Sequence, residues 1–290
     1  MNRQLPFYFL PSRGRVRWAV FAALVLWLHL GADGQAGAHP HGFIRNAGQW
    51  ASPVAYRAEV DQATWYVSSN SWTFLQKQAV PRADTGNGHR HHGAYRSHAL
   101  RFSFLGSKTD SISAAGAGLT HYNYFLGPRK RWASKLQAHN ELTVHGLYPG
   151  ISAALSHQSH SMKYSFLIDP GANPRQIKML IEGAEHLEVA ENGKRLRIRT
   201  SLGAYEEHMP RVYQPGIEGR GDHGVSHGKS VSCRYALHGD TLHFVFPEGF
   251  DPRYRLIIDP QIVFSSLSGV GAGDNNWGFT AAYDRSGNGY

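Results

Sequence analysis

Beyond residue 38, apolar residues in this chain recur at every second position, as in Leu100-x-Phe102-x-Phe104 and Leu196-x-Ile198, and form no long pattern of 3.6-residue period. A strand turns successive side chains to opposite faces, so such alternation buries one face of a sheet and leaves the other toward solvent. An amphipathic helix could not gather the same residues on one side. Turn chemistry falls between the alternating runs. TWYVS and SWTFL flank Ser69-Asn70, HLEVA and KRLRIRT flank Glu191-Asn192-Gly193, and CRYAL and TLHFVF flank His238-Gly239-Asp240. Asn and Gly accept the positive φ that tight hairpins need. Asp169-Pro170-Gly171-Ala172-Asn173-Pro174 is expected to join MKYSFLI to QIKMLIEG in the same way. A run of antiparallel pairs predicts an all-β, antiparallel, sandwich-like domain. Residues 77–97 and 215–228, rich in Gly, His and charge, interrupt the pattern and read as exposed loops.

At 41% hydrophobic residues over 290 positions the chain can build a sizeable core, which excludes disorder throughout. A single cysteine, Cys233, excludes an intrachain disulfide framework and a zinc site built on two or more thiolates. It alternates with Val231 and Tyr235, so it reads as a buried strand residue. At the amino terminus, Arg13, Arg15 and Arg17 precede an apolar run at residues 18–30, followed by Ala36-Gly37-Ala38. That order is the signature of a secretory signal peptide over residues 1–38, and the run is short for a membrane span. The formal charge of +9 brings nucleic acid, membrane surface and anionic glycan into consideration. Loss of residues 1–38 would remove four Arg and one Asp, leaving 26 basic against 20 acidic residues, or +6, scattered along the chain. A scattered excess favours solubility or a loose preference for anionic glycan over nucleic acid.

Phe43-Ile44-x-Asn46-x-Gly48-Gln49-Trp50, Asn123-Tyr124-Phe125-Leu126-Gly127 and Leu147-Tyr148-Pro149-Gly150-Ile151 occur in order. They are followed by Lys163-Tyr164-x-Phe166-x-Ile168-x-Pro170-Gly171-Ala172-x-Pro174-x-x-Ile177 and Leu256-Ile257-Ile258-Asp259-Pro260. In these residues the chain, over 43–262, resembles the amino-terminal domain of bacterial secreted proteins that carry SBBP (seven-bladed beta-propeller) repeats. Arg45, Ala47 and Ser152 depart from that pattern. Residues 263–290, with Gly273-Asp274-Asn275-Asn276-Trp277-Gly278 and Asp284-x-x-Gly287-Asn288-x-Tyr290, resemble the start of a first repeat. A propeller needs several four-stranded blades, so this stretch is expected to be the first strands of a truncated propeller repeat. The resemblance implies an exported, multidomain surface protein of adhesion or gliding-motility type, and it brings no catalytic residues with it.

Candidate chemistry is sparse. His89, His91 and His92 could ligate Zn, Cu or Ni, but adjacent histidines in a Gly-rich loop supply neither tetrahedral geometry nor orienting partners. His157 and His160 are expected on opposite strand faces. Arg129-Lys130-Arg131-Trp132, with Lys135, could grip phosphates, but reads first as a charged loop with Trp132 packed inward. Arg220-Gly221-Asp222 reads as a chance tripeptide, Glu206 and Glu207 as neighbours on opposite faces and Asp259 as a turn residue, while Asp274 could offer oxygen to calcium but without the spacing of an EF-hand or a GGxGxD repeat. No G-x-S-x-G, H-E-x-x-H or phosphate loop is present. The expectation is a secreted or cell-surface, non-enzymatic structural or binding module. It would have no catalytic, cofactor or metal residues, no nucleic-acid partner and no stable span after signal cleavage. Its partners would be cell-surface glycan or other surface proteins. The alternative is an exported metal-dependent or glycan-active enzyme using the His-rich loop.

Overall fold

The computed structural model describes residues 42–60, 63–79, 95–158, 161–216 and 228–263. The expected signal peptide and, apart from Val263, the expected repeat segment lie outside them. The described chain forms β1 (Phe43–Arg45), β2 (Tyr56–Val60), β3 (Ala63–Val67), β4 (Ser71–Ala79), β5 (Tyr95–Phe104) and β6 (Ser111–Tyr124). It continues with β7 (Ala133–Tyr148), β8 (Ile151–Gln158), β9 (Ser161–Ile168), β10 (Met179–Glu182), β11 (His186–Ala190) and β12 (Arg195–Thr200). The last strands are β13 (Gly203–Gln214), β14 (Lys229–Ser230), β15 (Arg234–His238), β16 (Thr241–Val245) and β17 (Leu256–Val263). Three short 3-10 turns are the sole helical elements among the described residues, and no helix there is long and apolar enough to cross a membrane.

All these strands belong to one antiparallel sheet. The ladder runs β15-β16-β10-β5-β4-β3-β2-β1-β7-β8-β9-β17-β13-β12-β11, with β6 beside β7 and β14 beside β13. The two ends of that ladder approach each other. At the β11–β12 turn, a Cβ added to Gly193 would lie 2.9 Å from the carbonyl oxygen of Tyr235 in β15. The sheet is therefore nearly closed and barrel-like, which leaves few open edges.

The three expected hairpins form, β3–β4, β11–β12 and β15–β16. Asn192 and Gly193 take φ of 56° and 89°. The expected pairing of β9 with β10 does not. β9 lies between β8 and β17, and β10 between β5 and β16. Asp169–Pro174 does turn, but Gly171 donates to the carbonyl of Pro252 (2.8 Å), tying the link to the chain ahead of β17 and away from a hairpin path. Asp259 is likewise no turn residue. It lies within β17, where Ser165 Oγ donates to its carboxylate (2.9 Å). Pro260 is tolerated because it faces a bulge: Gln261 pairs with His208 and Asp259 with Arg211, so Met209 and Pro210 oppose one residue. Neither proline has an N–H to leave stranded there.

Inward residues of the alternating strands make one continuous core. Trp72 is its centre, 1% exposed, with Phe104 edge-on at 4.6 Å and Tyr164 edge-on at 5.3 Å. A smaller cluster of Val54, Tyr66, Leu75 and Ala99, with Trp50 packed on it, covers the other face of β3 to β5. The loop after β1 therefore acts as a local second layer. Asn46 organises that loop: its Nδ2 donates to the carbonyls of Trp50 and Val54, and its Oδ1 accepts from the amides of Gly48 and Trp50.

Candidate functional site

β6 and β7 form a long hairpin whose outer part has no other strand beside it among the described residues. Ladder partners other than β6 reach β7 at Ala138–His139 (from β1) and from Glu141 onward (from β8). Residues 115–121 are exposed throughout. This arm is braced where Tyr124 meets Trp50 edge-on at 5.3 Å, and Arg57 sits over the Trp50 ring at 5.5 Å. Burial in that contact pushes the Tyr124 phenol up to about 12. Two of the sequence motifs, the one around Asn46 and Trp50 and the one around Tyr124, thus meet in space.

The arm ends in an ordered tip. Gly127 turns the chain at φ 70°. The following 3-10 turn, Arg129–Arg131, is closed by Arg131 N–H to Pro128 O (2.8 Å) and Trp132 N–H to Arg129 O (3.0 Å). Trp132 is not packed inward as expected but 43% exposed, because its indole N–H donates to Gly127 O (3.1 Å) and holds the ring across the loop. Phe125 packs edge-on against it at 5.3 Å, and the Arg129 guanidinium lies 5.5 Å from its centroid. Lys135, at φ 58°, is held by its amide donating to Asn123 Oδ1 (3.0 Å). The sequence from Ser111 to Asn140 contains no acidic residue, whereas Arg129, Lys130, Arg131 and Lys135 all fall within it.

At the foot of the arm lies an open cleft of about 430 Å³, lined among others by Arg45, Tyr56, Ser69, Thr109, Asp110 and Ser111. Arg45 and Asp110 are both exposed at it. Asp110 is placed by a missing side chain: a Cβ on Gly146, at φ 60°, would fall 2.0 Å from Asp110 Oδ2. The cleft therefore offers a cation, an anion and hydroxyls close together, a set suited to ligand hydroxyl groups that both donate and accept.

The family model described as "Domain of unknown function (DUF7948)" matches residues 43–261. The chain belongs to the DUF7948 family. No curated protein and no solved structure matches the chain.

Within the DUF7948 domain the sequence-predicted residues are dispersed. His89, His91, His92, His160, Arg220-Gly221-Asp222 and Asp274 lie outside the described residues. His157 Nε2 is 3.1 Å from the carbonyl oxygen of Glu59. Among the described residues no group of three or more His, Cys, Asp or Glu is placed to hold a metal ion. Cys233 is buried as expected but lies just ahead of β15 rather than within a strand, and burial pushes its thiol up to about 12. Glu206 and Glu207 do face opposite ways. Glu206 accepts from Arg197 Nε (2.8 Å) and Arg195 (3.3 Å) on the outer face.

Sequence reasoning missed what Glu207 does. Fully buried, its Oε1 accepts from the hydroxyls of Tyr164 in β9 and Tyr235 in β15, both at 2.8 Å. Burial raises its carboxyl to about 7 despite those two bonds. It ties β13 across the core to two other strands. Sequence reasoning also missed His98, which bridges Ser201 Oγ (Nδ1, 2.9 Å) and Gly183 O (Nε2, 2.8 Å) and pins β5 to the β12–β13 turn.

Proposed function

We propose that this DUF7948 domain is a non-enzymatic extracellular binding module that takes surface glycan in the cleft at the foot of the β6–β7 arm. The observation that carries the reading is that Arg45 and Asp110 line the same open cleft, together with Ser69 and Ser111. A sugar ring presents hydroxyls that accept from a guanidinium and donate to a carboxylate. Asp110 is the one carboxylate lining that cleft, whereas glycoside hydrolysis ordinarily uses two across the scissile bond, so binding fits better than cleavage. The wider placement is part of the same proposal. The chain is an exported, sandwich-like amino-terminal domain of an SBBP-repeat protein of adhesion or gliding type, with residues 263–290 opening the first repeat. The signal-like order of residues 1–38 and the motif series over 43–262 support it.

The test is titration calorimetry against a panel of acidic and neutral surface polysaccharides, with Arg45→Ala and Asp110→Asn beside the parent. The reading expects at least about tenfold weaker binding in each variant, the loss of about one charge-assisted hydrogen bond, at unchanged melting temperature. No binding by the parent, or binding indifferent to both substitutions, would remove the cleft from consideration.

A further inference from the structure

We infer that the tip of the β6–β7 arm docks on a phosphate-bearing lipid surface, Phe125, Leu126 and Trp132 entering the acyl boundary while Arg129, Lys130 and Lys135 meet the phosphates. Among the described residues eight large hydrophobic side chains are exposed, and four of them, Leu119, Phe125, Leu126 and Trp132, lie on this arm. Exposed apolar side chains concentrated on one projection mark an interaction surface. Cations set among aromatic and aliphatic side chains are the composition that settles at a bilayer interface, the rings at headgroup level and the charges on the phosphates.

The tip is built to enter such a boundary at low cost. The Trp132 indole N–H is already bonded to Gly127 O, and the amides of Arg131, Trp132 and Lys135 are bonded within the tip. Insertion therefore strands none of these donors in apolar surroundings. The Phe125–Trp132 contact and the brace of Tyr124 on Trp50 fix the apolar side chains before docking, which limits the ordering entropy that binding must supply.

Charge and shape choose this occupant over others. With no acidic residue from Ser111 to Asn140, the tip repels a second copy of itself and offers no carboxylate to accept from sugar hydroxyls. Leu119 and Leu126 have no flat face on which a sugar ring or a base could stack, whereas acyl chains accept them. This site is separate from the glycan cleft, so either reading can fail while the other stands.

The experiment is co-sedimentation of the full chain with vesicles of phosphatidylcholine alone or with about one third phosphatidylglycerol. Each cation close to an anionic surface strengthens partitioning about fivefold. Arg129→Gln, Lys130→Gln and Lys135→Gln together should weaken binding to the anionic vesicles about a hundredfold. Phe125→Ser with Leu126→Ser should weaken it at least about tenfold, because burial of their apolar area is lost. Acyl-brominated lipid should quench part of the tryptophan fluorescence in the parent, and Trp132→Phe should abolish that part. All the chains share residues 1–38, so the differences between them isolate the tip, and unchanged circular dichroism confirms that each variant folds. The proposal is overturned if the charge variant sediments like the parent, or if the Ser variant does and Trp132 is not quenched. It is also overturned if the parent binds soluble dextran sulfate but not anionic vesicles, which would make the tip a reader of anionic glycan.

Discussion

Replacing Glu207 with Gln should favour the variant over the parent by about 2.5 kcal/mol more at pH 8 than at pH 5. Burial moves the native carboxyl from 4.5 to about 7 while Tyr164 and Tyr235 donate to it. Below pH 4.5 both the native and the unfolded chain hold the proton, and the shift has no effect. Between 4.5 and about 7 the unfolded chain gives it up while the native state retains it, so stability falls as pH rises. Above about 7 the loss is complete, at about 1.4 kcal/mol for each tenfold difference in proton affinity. Gln is neutral throughout and keeps an oxygen to accept from the two tyrosines. Its extra buried N–H costs about 1–3 kcal/mol, equally at both pH values, and cancels in the difference. The lowered affinities of His98 and His243, due first to burial, are common to both chains and cancel as well. Urea unfolding of parent and variant at pH 5, 6, 7 and 8 measures the effect. A stability gap that stays constant across that range would falsify the account of Glu207 as a carboxylate charged against its surroundings.

Two other outcomes follow from the core. Trp72→Ala should destabilise the domain by about 3–5 kcal/mol in the same urea assay, because Phe104, Tyr164 and Phe166 lose their shared neighbour; a cost under about 1 kcal/mol would mean that the site collapses freely. Cys233 should resist a thiol-reactive dye in the native protein at pH 8 and react in urea, since burial holds the thiol up near 12; rapid native labelling would contradict that environment.

The local part of the fold was legible because hairpins advertise themselves. Asn192 and Gly193, and Gly239 at φ 58°, sit where the backbone needs them, and alternation told which face of each strand is buried. Pairings between distant segments carry no such local mark. The link after β9 carries the residues of a turn at Asp169–Pro174, yet its strands part, β9 pairing with β8 and β17 and β10 with β5 and β16. Asp259-Pro260 reads as a stop in isolation, and only the bulge on β13 shows why a proline can stand within a strand. The tip was half legible. Its basic and aromatic residues were visible, but the outward set of Trp132 depends on one bond to Gly127 that spacing does not encode. Glu207 was read correctly for face and missed for meaning, since its two tyrosines come from strands far away in the chain.

β17 is the last described strand and one of the innermost. It pairs with β9 through Leu256–Ile258 and with β13 through much of its length, and both Leu256 and Ile258 are fully buried. A growing chain therefore carries two raw edges, those of β9 and β13, until β17 is delivered between them. Folding of this sheet cannot finish strand by strand as synthesis proceeds; it waits for β17 and then closes as a unit, with the slow, millisecond-to-second timing of sheets built on distant pairings. Loss of the eight residues of β17 would remove the ladder between β9 and β13 and leave two open edges ready to pair with the wrong chain.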